Sequence, residues 1–419
     1  MKQLSQLFPQ ELKNYYHLLQ ALIASQLYLT PSKKLKIIGV TGTDGKTTTT
    51  NLIYHLLKES GHKVSMISTI NAVIGNKEYD TGFHVTTPSP NSIQKYLSDM
   101  AKAGSEYAVL EVTSHALDQK RVFGLHFLAG VLTNITHEHL DYHKTYDNYL
   151  RAKAKLFKNV AYSILNRDDR SYNLMKNFVS GNVLTYGTNK DALVSAQNME
   201  LNVNGTEFDY IYQGQKTHVQ SSLVGEFNVE NILAAVTLVK TLGVSDEAIA
   251  AGLKTFKSVA GRMESVETKT DYNVIIDFAH TPNALENVLT TVGKLTRGKV
   301  IVVFGAAAQR DIAKRPIMGK IASKLADYVI LTNEDPRFEN PNQILTDIAK
   351  GVVKSGGVLN KTFWMIEERD KAIQYACSLA KNKDSVLILG KGHEKSISIR
   401  GKEYPWSDKE AVLKAVKQL

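Results

Sequence analysis

The sequence predicts an α/β protein in two parts: a phosphate-binding domain on a parallel sheet extended by antiparallel hairpins, then a second α/β domain. Three observations carry this prediction. The stretch G-V-T-G-T-D-G-K-T-T-T-T, residues 39–50, stands between an apolar run (Leu35, Ile37, Ile38, Val40) and a helical pattern (Leu52, Ile53, Leu56, Leu57), which marks a strand-to-helix turn. Strand and helix patterns alternate from residue 35 to about 132, and such alternation means a parallel sheet covered by helices. Residues 183–224 instead alternate Tyr, Val and Thr with polar residues around turn signals at Asn204-Gly205 and Gln213-Gly214, the pattern of antiparallel hairpins.

The phosphate loop follows from the first observation. Gly42 and Gly45 let the backbone approach an anion closely, while successive N–H groups and the helix N-terminus face it, which makes Thr43, Asp44 and Thr48 ATP-binding residues with the rest of the loop. Lys46 reaches the β- and γ-phosphates and Thr47 offers a hydroxyl to Mg²⁺. The general spacing of such loops is not met, because Val40 stands where the first glycine belongs.

The remaining elements follow in order. After the loop come a helix to about Ser60, a strand at Val64–Ile67, a helix over 91–103, and strands over 107–112 and 129–133. Polar clusters fall where these strands end: Thr86-Thr87-Pro88, Glu111 to His115, and residues 134–143. Ligand chemistry in open α/β sheets collects at such carboxyl ends. Beyond the hairpins, helices over 228–242 and 246–256 close the domain. A boundary near Ala260 precedes strands over 274–277, Val300–Phe304, Tyr328–Leu331 and Ser385–Leu389, giving segments 1–34, 35–260 and 261–419. A chain of 419 residues is too long for one core, in keeping with two or three domains.

Composition narrows the function. With 43% hydrophobic and 22% charged residues, the chain is an ordinary globular protein. The single cysteine, Cys377, excludes a disulfide framework and any multi-cysteine zinc site, and fits a cytoplasmic address. The net charge of +10, without a dense basic run, favours anionic small molecules over nucleic acid. Residues 15–29 are apolar but too short for a bilayer span and interrupted by His17, Gln20 and Gln26. A packed helix is expected there, with an interfacial membrane helix as the alternative.

A set of motifs runs through the chain: T-G-T-D-G-K-T-T (41–48), E-V-T-S-H-A-L-D-Q-K-R-V (111–122), E-H-L-D-Y-H (138–143), Y-L-R-A-K-A-K-L-F (149–157) and G-E-F-N-V-E-N-I-L-A-A (225–235). They continue with G-R-M-E (261–264), D-F-A-H-T-P-N-A-L-E (277–286), R-D-I-A-K-R-P (310–316), E-D-P-R (334–337) and G-K-G-H-E (390–394). In this order they resemble the Mur ligases, and within them the MurE-type UDP-N-acetylmuramyl-tripeptide synthetases. The resemblance implies a central ATP-binding domain and a Rossmann-like C-terminal domain. It also implies an ATP-dependent ligase that adds an amino acid to an acidic muramyl-peptide acceptor through an acyl phosphate.

Site residues follow from the same resemblance. Lys46, Glu111, His139 and Lys153 match catalytic positions, with Thr47, Glu111, His139 and Lys153, as a CO₂-derived carbamate, holding two Mg²⁺ ions. A carboxylate and an imidazole at a sheet edge suit divalent metal on their own chemistry. His280, Asn283 and Arg315 join the loop residues around ATP; Thr86, Thr87, Thr113, Gln119 and Arg121 match the acceptor positions. Arg310, Glu334, Asp335, Arg337, Gly390 and Glu394 match those that select the amino acid, arginine for its carboxylate and glutamate for a distal ammonium.

Several departures bear on the substrate. The resemblance begins only near residue 35, so the family's uridine-binding domain is expected to be absent and the UDP-linked form of the acceptor is left open. Asp44 replaces the family's common Asn, and E-D-P-R stands where D-N-P-R marks diaminopimelate enzymes. A diamino acid with a second carboxylate is expected, with L-lysine open. The substrates are small molecules and the enzyme is expected to act as a monomer. The alternatives are a folylpolyglutamate synthetase-like glutamate ligase, a Mur-like ligase on a non-UDP acceptor, and a nucleotide-dependent binding protein without ligase chemistry. Retention of Lys46, Glu111, His139 and Lys153 speaks against the last.

Overall fold

The computed structural model describes residues 10–79, 86–136, 138–202, 205–309 and 311–419. The first domain is organised on an eleven-stranded sheet. Its strands are β1 (Lys36–Thr41), β2 (Val64–Ile67), β3 (Ala72–Ile74), β4 (Lys77–Tyr79), β5 (Tyr107–Glu111) and β6 (Phe127–Leu132). They continue with β7 (Tyr162–Asn166), β8 (Asn182–Gly187), β9 (Val194–Asn202), β10 (Gly205–Tyr212) and β11 (Gln215–Ser221). The order is β11-β10-β9-β8-β7-β6-β1-β5-β2-β3-β4, parallel from β9 to β2 and antiparallel at both ends. The expected hairpin extension is therefore present, and a second one, β3–β4, caps the opposite edge.

Alternation along the central strands explains the two layers. Ile38, Val40, Val109 and Val131 face helices Lys46–Glu59, Glu226–Thr241 and Asp246–Thr255, while Ile37, Ala108, Leu110 and Leu132 face helices Pro90–Lys102 and Tyr146–Ala154. From Ile232 to Val239 helix Glu226–Thr241 is buried all round, because it is enclosed between the phosphate-loop helix and the sheet.

The second domain holds a six-stranded sheet of β12 (Glu264–Ser265), β13 (Asn273–Asp277), β14 (Val300–Phe304), β15 (Tyr328–Leu331), β16 (Phe363–Met365) and β17 (Ser385–Leu389), ordered β12-β13-β17-β14-β15-β16. All pairs except β12–β13 are parallel. Helices Pro282–Leu295, Lys314–Leu325 and Pro341–Lys354 cover one face, Arg369–Leu379 and Asp408–Gln418 the other. A small hairpin of β18 (Ser396–Ile399) and β19 (Lys402–Pro405) follows β17.

The last two helices are joined by a buried ion pair. Arg369 Nε donates to Asp408 Oδ1 at 2.7 Å and its Nη2 to Oδ2 at 2.8 Å, with both side chains at most 1% exposed. Removing one partner leaves an uncompensated buried charge. Asp408→Ala is expected to destabilise the protein by about 3–5 kcal/mol, read as a lowered denaturant midpoint.

The N-terminal helix, expected over 15–29, spans Gln10–Leu27 and packs on helix Pro90–Lys102. Among the described residues, no helix is long and apolar enough to cross a membrane.

Candidate active site

The carboxyl ends of the first domain's central strands face the second domain across a cleft of about 970 Å³. Its floor is the phosphate loop, which is held by the end of β6. Thr43 N donates to Asn134 O and Asp44 N to Asn134 Oδ1, both at 2.9 Å, and Thr133 Oγ1 donates to Asp44 O at 2.6 Å. Gly45 caps the loop helix at φ 81°, and a Cβ there would lie 2.2 Å from Asn231 Oδ1. Only glycine meets both demands. Lys46 folds back so that its Nζ donates to Thr43 O at 2.8 Å, and burial lowers its pKa while Glu111 and Asp44 oppose the shift.

Beside the loop, Thr47 Oγ1 donates to Glu111 Oε1 at 3.1 Å, and Glu111 Oε2 accepts from Thr69 N at 2.8 Å. Two oxygens about 3 Å apart are spaced as neighbouring ligands of an octahedral Mg²⁺, which takes few protein ligands and completes its shell with phosphate and water. Thr47 and Glu111 thus fit the metal. His139 sits at φ 57° before the short helix Leu140–His143, with its ring edge-on to His115 at 4.6 Å. Burial, then His115 and Lys153, hold its imidazole neutral, well below the usual range. Among the described residues no three His, Cys, Asp or Glu side chains could hold a metal together.

Lys153 comes from helix Tyr146–Ala154 and is 1% exposed, with its Nζ donating to Gly42 O at 2.6 Å and lying over the Tyr149 ring. Burial first, and Lys46 second, push its pKa well below that of a free lysine.

The predicted acceptor residues form one network ending at Glu111. Thr87 Oγ1 donates to Glu111 O at 3.1 Å and accepts from Thr113 N at 3.0 Å. Arg121 donates through Nη1 to Thr87 O at 3.0 Å and through Nε to Gln119 Oε1 at 2.8 Å. Thr86 accepts from Thr69 Oγ1 at 3.2 Å.

The opposite wall belongs to the second domain. Asp44 is clasped by it: Thr281 Oγ1 donates to Oδ1 at 3.2 Å and Asn283 Nδ2 to Oδ2 at 2.9 Å. His280, held neutral by burial and Lys314, which lower its pKa to about 3, lies next to this contact. Glu334, Asp335, Arg337 and Glu394 also line the cleft. Lys391 Nζ lies 2.8 Å from Asp335 Oδ1 and 2.5 Å from Glu394 Oε2, and Arg337 Nη2 lies 4.0 Å from Asp335 Oδ2. Gly390 gives room to Glu334, whose Oε2 would stand 2.8 Å from a Cβ there. Burial raises Glu334 to about 7.

One predicted residue falls elsewhere. Arg315 turns from the cleft and is buried in ion pairs with Glu339 at 2.7 Å and Asp347 at 3.3 Å. Its neighbour Lys314 lines the cleft instead, donating to His280 O at 2.8 Å and Glu138 Oε1 at 3.4 Å. Arg310 lies outside the described residues.

Three residues not singled out from the sequence also belong to the site: Lys314, Glu138 and Arg262. Glu138 is buried with its Oε2 unbonded among the described residues, and Arg262 Nη2 donates to Thr47 Oγ1 at 3.1 Å across the domain boundary. The signal was present, since all three stand inside quoted motifs, R-D-I-A-K-R-P, E-H-L-D-Y-H and G-R-M-E.

Comparison with known proteins places this geometry. Residues 40–239 match the Mur ligase middle domain, and residues 261–392 match the domain described as Mur ligase, glutamate ligase domain. A UDP-N-acetylmuramoyl-L-alanyl-D-glutamate–2,6-diaminopimelate ligase 1 of Clostridium acetobutylicum is 41% identical over 95% of this chain and 82% of its own length. A UDP-N-acetylmuramyl-tripeptide synthetase of Borrelia garinii subsp. bavariensis is 42% identical over 94% of this chain and 78% of its own. A solved UDP-N-acetylmuramoyl-L-alanyl-D-glutamate–2,6-diaminopimelate ligase superposes with a TM-score of 0.64 at 33% identity, covering 92% of this chain and 78% of that one. A folylpolyglutamate synthase of Mycobacterium tuberculosis superposes with a TM-score of 0.73 over 96% of this chain and 94% of its own, but at 16% identity, a likeness of fold alone.

Proposed function

Because this chain belongs to the Mur ligase family, ATP-dependent enzymes that form amide bonds in peptidoglycan precursor synthesis, we propose that it joins a diamino acid bearing a second carboxylate to an acidic muramyl-peptide acceptor. One observation carries this reading. The phosphate loop and the Thr47–Glu111 corner lie in one cleft, with Thr86 and Thr113 on the first domain's side, bonded behind to Thr87 and Arg121, and Arg337 and Glu394 on the second domain's side. A site so arranged takes a carboxylate from one side and an amine from the other.

The acceptor carboxylate attacks the γ-phosphorus of ATP, ADP leaves, and an acyl phosphate remains. The amine then attacks the carbonyl carbon and phosphate leaves. There is little covalent work for the protein in this sequence, so positioning and charge neutralisation supply the rate. Lys46 releases the Thr43 carbonyl and turns to the phosphates, and Arg262 closes over the same corner from the second domain. Magnesium, when bound, neutralises the phosphate oxygens. Thr47 and Glu111 would hold one ion, and His139 with a carbamate on Lys153 would hold a second. Arg121 grips the acceptor's acidic end through the N–H groups it does not give to Gln119 and Thr87, and the enzyme works in the cytoplasm on these small molecules.

Arg337 receives the carboxylate of the incoming amino acid, with Arg310 as its partner, and Glu394 leaves Lys391 to take the distal ammonium. Arg337→Ala is expected to raise the amino-acid KM about 10- to 100-fold, the loss of a charge-assisted hydrogen bond, and to leave the KM for ATP unchanged. A shift in the ATP constant instead assigns Arg337 to the nucleotide. The whole reading is tested by mass-spectrometric detection of product from muramyl dipeptide acceptors, ATP and a panel comprising diaminopimelate, L-lysine and glutamate. Product with diaminopimelate is expected; product only with glutamate on a folate acceptor overturns it.

A further inference from the structure

Helix Gln10–Leu27 is built inside out. The residues it turns into the protein are small, Ala21, Ala24 and Ser25, each at most 8% exposed. Leu12, Tyr15, Tyr16, Leu19, Ile23 and Leu27 are left 54–69% exposed. At 3.6 residues per turn these six positions fall in one stripe about 120° wide. A helix that served only to close the fold would turn such a stripe inward, and a contiguous exposed apolar surface marks a place of interaction.

Charge identifies the partner. Residues 12–34 contain no Asp or Glu but carry Lys13, Lys33 and Lys34, the last two exposed in the short turn Pro31–Lys34 that follows the helix. The two tyrosines at the start of the stripe have apolar rings and polar tips, which suit the headgroup level of a bilayer. A second copy of the same face would bring like charges together, whereas an anionic lipid surface satisfies both the apolar stripe and its basic flank.

We propose that helix Gln10–Leu27 lies in the surface of an anionic bilayer, burying its outward stripe among the lipids with the lysines at the headgroups. The helix does not span the membrane. The docking also orients the cleft: Lys120 Nζ lies 5.1 Å from the centre of the Tyr15 ring, and Lys120 immediately precedes Arg121 of the acceptor network. A docked enzyme therefore holds the acceptor end of its cleft beside the lipid.

The test is co-sedimentation of the full chain with vesicles of phosphatidylcholine alone and of phosphatidylcholine mixed with phosphatidylglycerol. Binding is expected to the mixed vesicles only and to weaken as salt rises. The double substitution Leu19→Glu and Ile23→Glu, both on the solvent side, is expected to lower the partition coefficient about tenfold or more while ligase turnover in solution stays at the wild-type level. Lys33→Glu with Lys34→Glu is expected to weaken binding without touching the stripe. No binding by the wild type at low salt, or equal binding by wild type and Leu19→Glu/Ile23→Glu, overturns the proposal. A wild-type dimer that the same variant turns into a monomer, with no lipid binding by either, assigns the stripe to a second copy and also overturns it.

Discussion

Lys46→Ala is expected to abolish ATP turnover, lowering kcat by at least about a thousandfold. The side chain lies in the phosphate loop itself, its Nζ resting on the Thr43 carbonyl at 2.8 Å. Removing it deletes the charge from the place where negative charge develops, and nothing nearby replaces it. Arg262 is engaged with Thr47, and Lys153 lies against the Gly42 carbonyl. The variant is expected to fold, because the loop is held by Asn134 and Thr133 rather than by Lys46. Phosphate release with acceptor and amino acid present is the measurement, and equal hydrolysis by wild type and Lys46→Ala removes the loop from the mechanism.

Lys153→Ala is expected to be nearly as inactive, with partial recovery when small carboxylic acids are added. Burial is the main force against an ammonium there, and one beside Lys46 would add positive charge where the reaction already has enough. We propose that the amine, whose neutral form this environment favours, attacks CO₂, forming an N–C bond, losing a proton and leaving an anionic carbamate. On that proposal the sign of the group reverses, and the carbamate offers two oxygens of the kind Mg²⁺ prefers. An external carboxylate supplies the same charge and oxygens in the space the truncation opens. Full activity in Lys153→Ala, or rescue by alkylamines but not by carboxylates, means that Lys153 acts as an ammonium.

The parts of this site that were legible in the sequence are those whose chemistry is local. A glycine-rich turn after β1, a lysine at its end and polar residues where β5 and β6 stop are consequences of strand ends, and the sequence marks strand ends well. Arg315 shows where locality fails. Lys314 and Arg315 are adjacent, but side chains of successive helical residues point about 100° apart, so the motif could not say which one faces the cleft. Tertiary position decides it: Glu339 and Asp347 take the arginine, and the cleft takes the lysine. The clasp of Asp44 by Thr281 and Asn283 joins residues more than 230 positions apart and leaves no mark on either segment alone. Strands β3, β4 and β16 are three residues each, too short for a period to register. For helix Gln10–Leu27 the apolar content revealed a helix but not which face the fold would bury.

The central claim is that the acceptor carboxylate is activated by the phosphoryl group of ATP before the amine arrives. Acceptor labelled with ¹⁸O in its reacting carboxylate tests this directly, with mass analysis of the phosphate released during turnover. Attack by carboxylate on the γ-phosphorus followed by departure of phosphate carries one carboxylate oxygen into each phosphate, and that transfer is the predicted result. Phosphate free of ¹⁸O while amide product accumulates contradicts the account.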